Sequence, residues 1–266
     1  MPFFTNDGIK LYYEIEGEGP PVVMIHGFAL NIEYNWKAPK WIETLKEDYC
    51  LILLDCRGHG KSDKPHGDSY YGRKMNDDVI KLMEELSIEK ANFFGYSNGA
   101  HIIFELLFTK PDMFISAILG GFIVPLINND EEKIKYIEIN KQIIKSFKAK
   151  SDLEVKDPSY HLYRQVTLKA GNDLFALAGV IAGNVKERIV NLPSTMQMKK
   201  LLKKIKIPVL TVFGSDDITP GDKTLAVQLI PDSCHFQIQG KDHLSVLRDS
   251  KFHMVVKAFL NYVNRK

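Results

Sequence analysis

Cysteine is scarce in this chain. Its 266 residues include three, Cys50, Cys56 and Cys234. An odd number with no Cys-x-x-Cys spacing argues against a disulfide framework and against a zinc site. Cys50 and Cys56 lie in and just after an apolar run and read as buried or half-buried free thiols. Long apolar runs are missing too: nothing approaches the roughly 20 residues that span a bilayer. The opening Met1-Pro2-Phe3-Phe4-Thr5-Asn6-Asp7 lacks the basic stretch and apolar core of a secretion signal. The expectation is therefore a soluble protein in a reducing, cytoplasmic compartment. Charge of one sign is not in excess either, since 35 basic and 33 acidic residues leave a net +2. In mixed order they give no footprint for nucleic acid or for an anionic membrane. The five lysines within 198–206 alternate with Leu and Ile and read as one solvated face. Internal repeats and low-complexity tracts are absent.

What is present is ordinary for a globular protein: 45% hydrophobic and 26% charged residues. A chain of this length buries roughly three quarters of the surface its unfolded form exposes. That suits one α/β domain with an insertion, or two small domains.

Asn6-Asp7-Gly8 between Phe3-Phe4 and the alternating run 9–15 predicts a β-hairpin. Val22-Val23-Met24-Ile25 and Cys50-Leu51-Ile52-Leu53-Leu54 are continuous apolar runs, as expected of strands buried on both faces of a parallel sheet. Residues 36–46 have helical spacing, and 76–86 form an amphipathic pattern with Val79, Ile80, Leu82, Met83 and Leu86 as its apolar stripe. Further strands are predicted at 93–94, 115–121, 205–213 and 234–238, with a closing helix over 252–263. From Phe122 to Pro193 no buried strand is evident. Helical tracts at 131–148, 160–169, 174–183 and 185–190 take its place. An insertion of that kind in an alternating β/α chain sits at one edge of the sheet and covers a site.

The stretch that organises the rest is Gly95-Tyr96-Ser97-Asn98-Gly99, a Gly-x-Ser-x-Gly pentapeptide between an apolar run and a helical one. A serine on such a sharp strand-to-helix turn projects its hydroxyl out of the fold, while Gly95 and Gly99 let strand and helix approach closely. The amides opening the helix point towards any negative charge developing nearby. His26-Gly27-Phe28 and Asp216-Asp217 also follow strand ends, and Asp242-His243 follows the last strand. In a parallel sheet these all fall on its carboxyl edge, where ligands bind.

With these segments and Asp55-Cys56-Arg57-Gly58-His59-Gly60-Lys61-Ser62, the chain resembles the α/β-hydrolase superfamily over nearly its whole length, in the family's order of nucleophile, acid and histidine. The resemblance implies an α/β fold: a mostly parallel twisted sheet of about eight strands, helices on both faces, and a helical cap. The core would comprise residues 1–121 and 194–266, and the cap 122–193.

It also implies roles. Ser97 is the expected nucleophile, and His243 the base that takes its proton. An acid must orient the imidazole. Asp217 and Asp216 are both available; the family's acid sits three residues after the glycine, here Gly214, which selects Asp217 and leaves Asp216 as the alternative. The spacing to Pro220 is one residue shorter than is common. The backbone amides of Phe28 and Asn98 would form the oxyanion hole. His26 reads as holding that loop, and Arg57, His59 and Ser62 as packing residues. Phe28, Phe122, Phe147, Tyr163 and Phe175 are candidate pocket residues. A small-molecule substrate is implied, and no metal or cofactor.

A serine at position 97 sets aside the branches that use aspartate there, haloalkane dehalogenases and epoxide hydrolases. A serine hydrolase of small carboxylic esters is the first expectation. A C–C bond hydrolase of ring-cleavage products, a perhydrolase or acyltransferase, and a non-enzymatic ligand receptor on the same fold are the alternatives.

Overall fold

The computed structural model describes residues 2–219 and 221–265. Its strands are β1 (Phe3–Asn6), β2 (Ile9–Glu16), β3 (Pro21–Ile25), β4 (Cys50–Leu54), β5 (Ala91–Tyr96), β6 (Phe114–Gly120), β7 (Val209–Gly214) and β8 (Ser233–Ile238). They form one eight-stranded sheet in the order β1-β2-β4-β3-β5-β6-β7-β8. The hairpin β1–β2 is antiparallel, β2 is antiparallel to β4, and every later pairing is parallel. Asp7 and Gly8 make the hairpin turn with φ of 51° and 73°.

The strand pleat divides the core into two layers. Val23, Ile25, Ile52, Leu54 and Phe93 face one side; Val22, Met24, Leu51, Leu53 and Phe94 face the other. All six residues of β5 and of β7 are buried. This is why these strands read as continuous apolar runs rather than alternating ones.

Helices cover both layers: α1 (Trp41–Leu45), α2 (Lys74–Glu85), α3 (Asn98–Thr109), α4 (Asp130–Phe147), α5 (Pro158–Lys169), α6 (Leu174–Asn184), α7 (Thr195–Leu202), α8 (Leu225–Leu229) and α9 (Ser250–Val263). Buried residues of α2, α3, α7 and α8 join the first layer, and those of α1 and α9 the second. At about 25 cal/mol per Å² of apolar surface, each large side chain so buried contributes roughly 1.5–3 kcal/mol.

One local expectation needs revision. Residues 36–46 are not one helix: a wide turn over Glu33–Lys37 precedes the short α1. Pro39 has no N–H to donate, and Lys40 turns left-handed at φ 68°, so the helix must restart. The solvated face expected at 198–206 is present: α7, opened by a capping box between Ser194 and Gln197, runs into this stretch. Met198, Leu202 and Ile205 are buried there, and the five lysines face solvent.

Between β6 and β7 the chain contains no strand. It builds α4, α5, α6, a wide turn over Val185–Ile189 and then α7. Among the described residues no helix is long and apolar enough to cross a membrane.

Candidate active site

The β5–α3 turn has the strained geometry its sequence calls for. Ser97 takes φ 50° and ψ −113°, a non-glycine residue on the positive-φ side, which costs on the order of 1–3 kcal/mol. The turn is held from both ends: Ser97 N–H donates to Gly120 C=O at 2.8 Å, and His101 N–H donates to Ser97 C=O at 3.1 Å. Both flanking glycines are sterically required. A methyl at Gly99 would lie 2.0 Å from the carbonyl oxygen of Ile25, and one at Gly95 would lie 2.6 Å from the amide nitrogen of Ala100. The Ser97 hydroxyl makes no hydrogen bond among the described residues. In unliganded enzymes such contacts often tighten only when substrate binds.

His243 follows β8 and lies against Gly121, just past the end of β6. A methyl at Gly121 would come within 2.9 Å of its Cε1. Its Nδ1 is 2.7 Å from Oδ2 of Asp217, whose side chain is fully buried. The other carboxylate oxygen accepts from Thr219 N–H at 3.0 Å and from Thr219 Oγ1 at 2.6 Å. Burial alone would raise the Asp217 carboxyl, but the bonds from His243 and Thr219 outweigh it and hold the group down at about 2. Asp216 is exposed and accepts from Ser215 Oγ at 2.7 Å. Asp242 turns the other way, accepting from the amides of Leu244 and Ser245. Of the three aspartates, Asp217 is the one that meets the imidazole. Pro220 lies outside the described residues.

The loop after β3 is fastened on several sides. Gly27 N–H donates to Asn35 Oδ1 at 2.9 Å, and Gly27 C=O accepts from His26 Nδ1 at 2.8 Å. His26 Nε2 accepts from Cys56 N–H at 3.0 Å, and His59 Nε2 from Ala29 N–H at 3.3 Å. Each ring accepts at Nε2 and so carries its proton on Nδ1. Burial pushes both histidines below their ordinary range. Neither Phe28 N–H nor Asn98 N–H has a hydrogen-bond partner among the described residues. Asn98 N–H is one of the helix-opening donors that α3 itself cannot use.

The 55–62 turn is structural. Asp55 accepts from the amides of Ile32 and Lys61, both at 2.8 Å. Arg57 is buried against Asp78, with Nε to Oδ2 at 2.6 Å. Ser62 Oγ donates to Asp55 C=O at 2.5 Å and accepts from Tyr12 N–H at 2.8 Å.

A serine on a strained strand–helix turn, a histidine–aspartate pair and a tethered loop after β3 thus share the carboxyl edge of the parallel strands of one sheet. A match to the family described as alpha/beta hydrolase fold covers residues 20–157, just over half of the chain. The chain belongs to the alpha/beta hydrolase fold family. It is 36% identical over 114 residues to the AB hydrolase superfamily protein YfhM of Bacillus subtilis, an alignment covering 41% of this chain and 39% of that relative. It therefore spans only about two fifths of that protein. It is 28% identical to a non-heme chloroperoxidase of Kitasatospora aureofaciens over 97% of this chain and 98% of that one. Among solved structures, a thermophilic esterase of Thermogutta terrifontis superposes with a TM-score of 0.73 at 23% identity, covering 98% of this chain and 97% of that one. That likeness speaks to the fold.

Within this hydrolase fold the candidate pocket residues divide. Phe28 stacks on Phe147, with centroids 6.0 Å apart and planes at 10°. Phe122 is buried against His101 and Phe104 at 4.8 and 4.7 Å. Tyr163 and Phe175, by contrast, are 48% and 47% exposed, and Phe175 packs on His66. The structure does not bring these two to the others. Their helices, α5 and α6, turn those positions outward, a choice that composition alone does not reveal.

Several supporting residues escaped the sequence reading. Tyr96 Oη donates to His243 C=O, Lys223 Nζ donates to Asp217 C=O, and Asn35 and Thr219 fasten the loops described above. Only Tyr96, inside the pentapeptide, and Thr219, two residues past an aspartate as in an Asx turn, carry a local signal.

Proposed function

We propose that this hydrolase-fold protein is a serine esterase acting on small carboxylic esters, with Ser97 as nucleophile, His243 as base, Asp217 as orienting acid and residues 122–193 as a cap. One observation carries the reading most: His243 Nδ1 is 2.7 Å from the buried carboxylate of Asp217. A hydrogen bond there puts the proton on Nδ1 and leaves the Nε2 lone pair free to accept one.

In the first half-reaction Ser97 Oγ attacks the ester carbonyl carbon and its proton passes to His243 Nε2. The carbonyl oxygen, now negative, takes hydrogen bonds from Phe28 N–H and Asn98 N–H. Each such donor is worth roughly 2.7–4 kcal/mol of transition-state stabilisation. As the tetrahedral adduct collapses, the C–O bond to the alcohol breaks and the alcohol leaves with the proton from Nε2. In the second half a water molecule gives its proton to Nε2 and attacks the acyl carbon. Ser97 is then expelled and recovers the proton as the carboxylic acid departs. Asp217 remains ionised throughout and stabilises the transient imidazolium.

A likeness to a bifunctional esterase/perhydrolase of Acinetobacter calcoaceticus, 25% identical over 93% of this chain and 88% of that one, favours a second use of the same intermediate. Hydrogen peroxide in place of water would attack the acyl carbon and leave as a peracid. The decisive experiment is p-nitrophenyl acetate hydrolysis followed from the first turnover. Wild type is expected to give a burst of p-nitrophenol, and Ser97→Ala neither burst nor turnover. Equal turnover by Ser97→Ala would rule out Ser97 as nucleophile.

A further inference from the structure

A polar seam beside the nucleophile has no part in the scheme above. His101 and Glu105 lie four and eight residues past Ser97, about 6 and 12 Å along the chain's helical rise. Facing them is the wide turn Val185–Ile189, closed by Val190 N–H to Val185 C=O at 3.0 Å. Such turns are rare and are frequently found at functional sites.

The two sides meet at Asn184, whose Nδ2 donates to Oδ1 of Asn98 at 3.2 Å. Four residues on, Arg188 is only 8% exposed. Its Nη2 donates to Asn76 Oδ1 at 2.6 Å and to Gly72 C=O at 3.1 Å. Its Nε stands 3.4 Å from Glu105 Oε2 without hydrogen-bond geometry. Nε, Nη1 and the Oδ1 of Asn184 are buried and have no hydrogen-bond partner among the described residues. The His101 ring, packed on Phe122, also makes none. Burial, with Arg188 and His243 nearby, pushes His101 down to about 4, so it is neutral at pH 7 and the positive charge of the seam resides on Arg188.

Unsatisfied buried polar groups are uncommon and each asks for an occupant. A buried donor left unpaired is costly, and a charged one more so. Glu105 balances part of this charge, its Oε2 lying 3.4 Å from Arg188 Nε while accepting from Asn76 Nδ2 at 2.9 Å, but it leaves Nη1 without a hydrogen-bond partner among the described residues. A planar guanidinium with Nη1 free suits a carboxylate, and a neutral imidazole can add one N–H.

We propose that this seam is the acyl-group subsite and that it takes a carboxylate. The preferred esters then have an acyl chain ending in a carboxylate, as in half esters of short dicarboxylic acids. This rests on the serine-esterase reading, because Ser97 must attack the other end of the same acyl chain.

The test has two arms. In the first, kcat/KM is compared for mono-p-nitrophenyl glutarate and p-nitrophenyl valerate. Wild type should favour the half ester at least tenfold, mainly through KM, and Arg188→Gln should reduce that ratio at least tenfold. Because Arg188→Gln also removes structural bonds, His101→Leu, which leaves them intact, serves as the second variant and should reduce the ratio severalfold. In the second arm, glutarate is titrated calorimetrically into Ser97→Ala protein, with and without His101→Leu. Saturable binding weakened at least threefold by His101→Leu supports the subsite whether or not esters are cleaved. A wild-type ratio near one together with no glutarate binding, the unpaired donors being filled by water only, overturns it. If the esterase reading alone fails, neither ester is cleaved but glutarate still binds.

Discussion

Asp217→Asn changes one charge and almost no volume, so its effects separate chemistry from packing. In the native site Oδ2 faces His243 Nδ1 at 2.7 Å, and Oδ1 takes both donors of Thr219. Holding the carboxyl at about 2 rather than its ordinary 3.8 corresponds to about 2.5 kcal/mol in favour of the charged form. In the asparagine variant the Thr219 donors keep the amide oxygen on their side, so the amide N–H₂ faces His243. Two donors cannot pair. Nδ1 must then become the acceptor, and the imidazole proton moves to Nε2, where no proton can be taken from Ser97. The expected loss in kcat is on the order of 10⁴, the scale seen when a triad histidine is held in the wrong tautomer, or about 5.4 kcal/mol of barrier. Stability should fall by only about 2 kcal/mol, since shape and the Thr219 bonds persist. Single-turnover kinetics on p-nitrophenyl acetate, paired with thermal melts, read both quantities. A kcat loss below tenfold in Asp217→Asn, or an equal loss in Asp216→Asn, would show that Asp217 does not set the imidazole tautomer.

Two further predictions come from the same geometry. In Gly99→Ala the new methyl meets backbone at 2.0 Å (Ile25 O) and 2.7 Å (His26 O), so the loop bearing Phe28 N–H must shift by about 1 Å. That should cost roughly 1–3 kcal/mol of stability and about 10² in kcat; unchanged melting and turnover would contradict it. Acid stability should decline in two windows. His26 and His59 are held below their ordinary 6.5 by burial, so below that pH the unfolded chain takes up protons that the folded one refuses. Stability therefore falls as pH drops through 6.5 towards 5. Asp217, lowered in the folded state, contributes fully above pH 3.8 and loses that contribution only as pH falls towards 2. A thermal midpoint that stays flat from pH 7 to pH 5 would sink the first half of this expectation.

Much of this architecture is legible in the sequence because its signals are local. Val22-Val23-Met24-Ile25 and Phe93-Phe94 read as buried strands since both their faces are covered, and Asn6-Asp7-Gly8 needs only its own turn chemistry. Gly95 and Gly99 are informative because a side chain there would strike Ala100 and Ile25. Other features depend on long-range contacts that no window displays. Whether Phe147 or Tyr163 faces inward depends on how the inserted helices dock, and their patterns are weak: α4 has only Ser146 and Phe147 buried among its 18 residues. The meeting of Asn184 with Asn98, 86 residues apart, and of Arg188 with Glu105 had no sequence signal at all. The break at Lys40 was readable in principle from Pro39, but the apolar spacing of Trp36, Trp41 and Leu45 hid it.

Catalysis by this site requires that Ser97 become acylated. Treating native protein with a fluorophosphonate and measuring its intact mass and peptide map reads that step. One adduct is expected, on the peptide containing Ser97, with labelling abolished in Ser97→Ala and slowed by orders of magnitude in His243→Ala. Ester turnover by native protein with Ser97 unmodified, or labelling equally fast in His243→Ala, would contradict it.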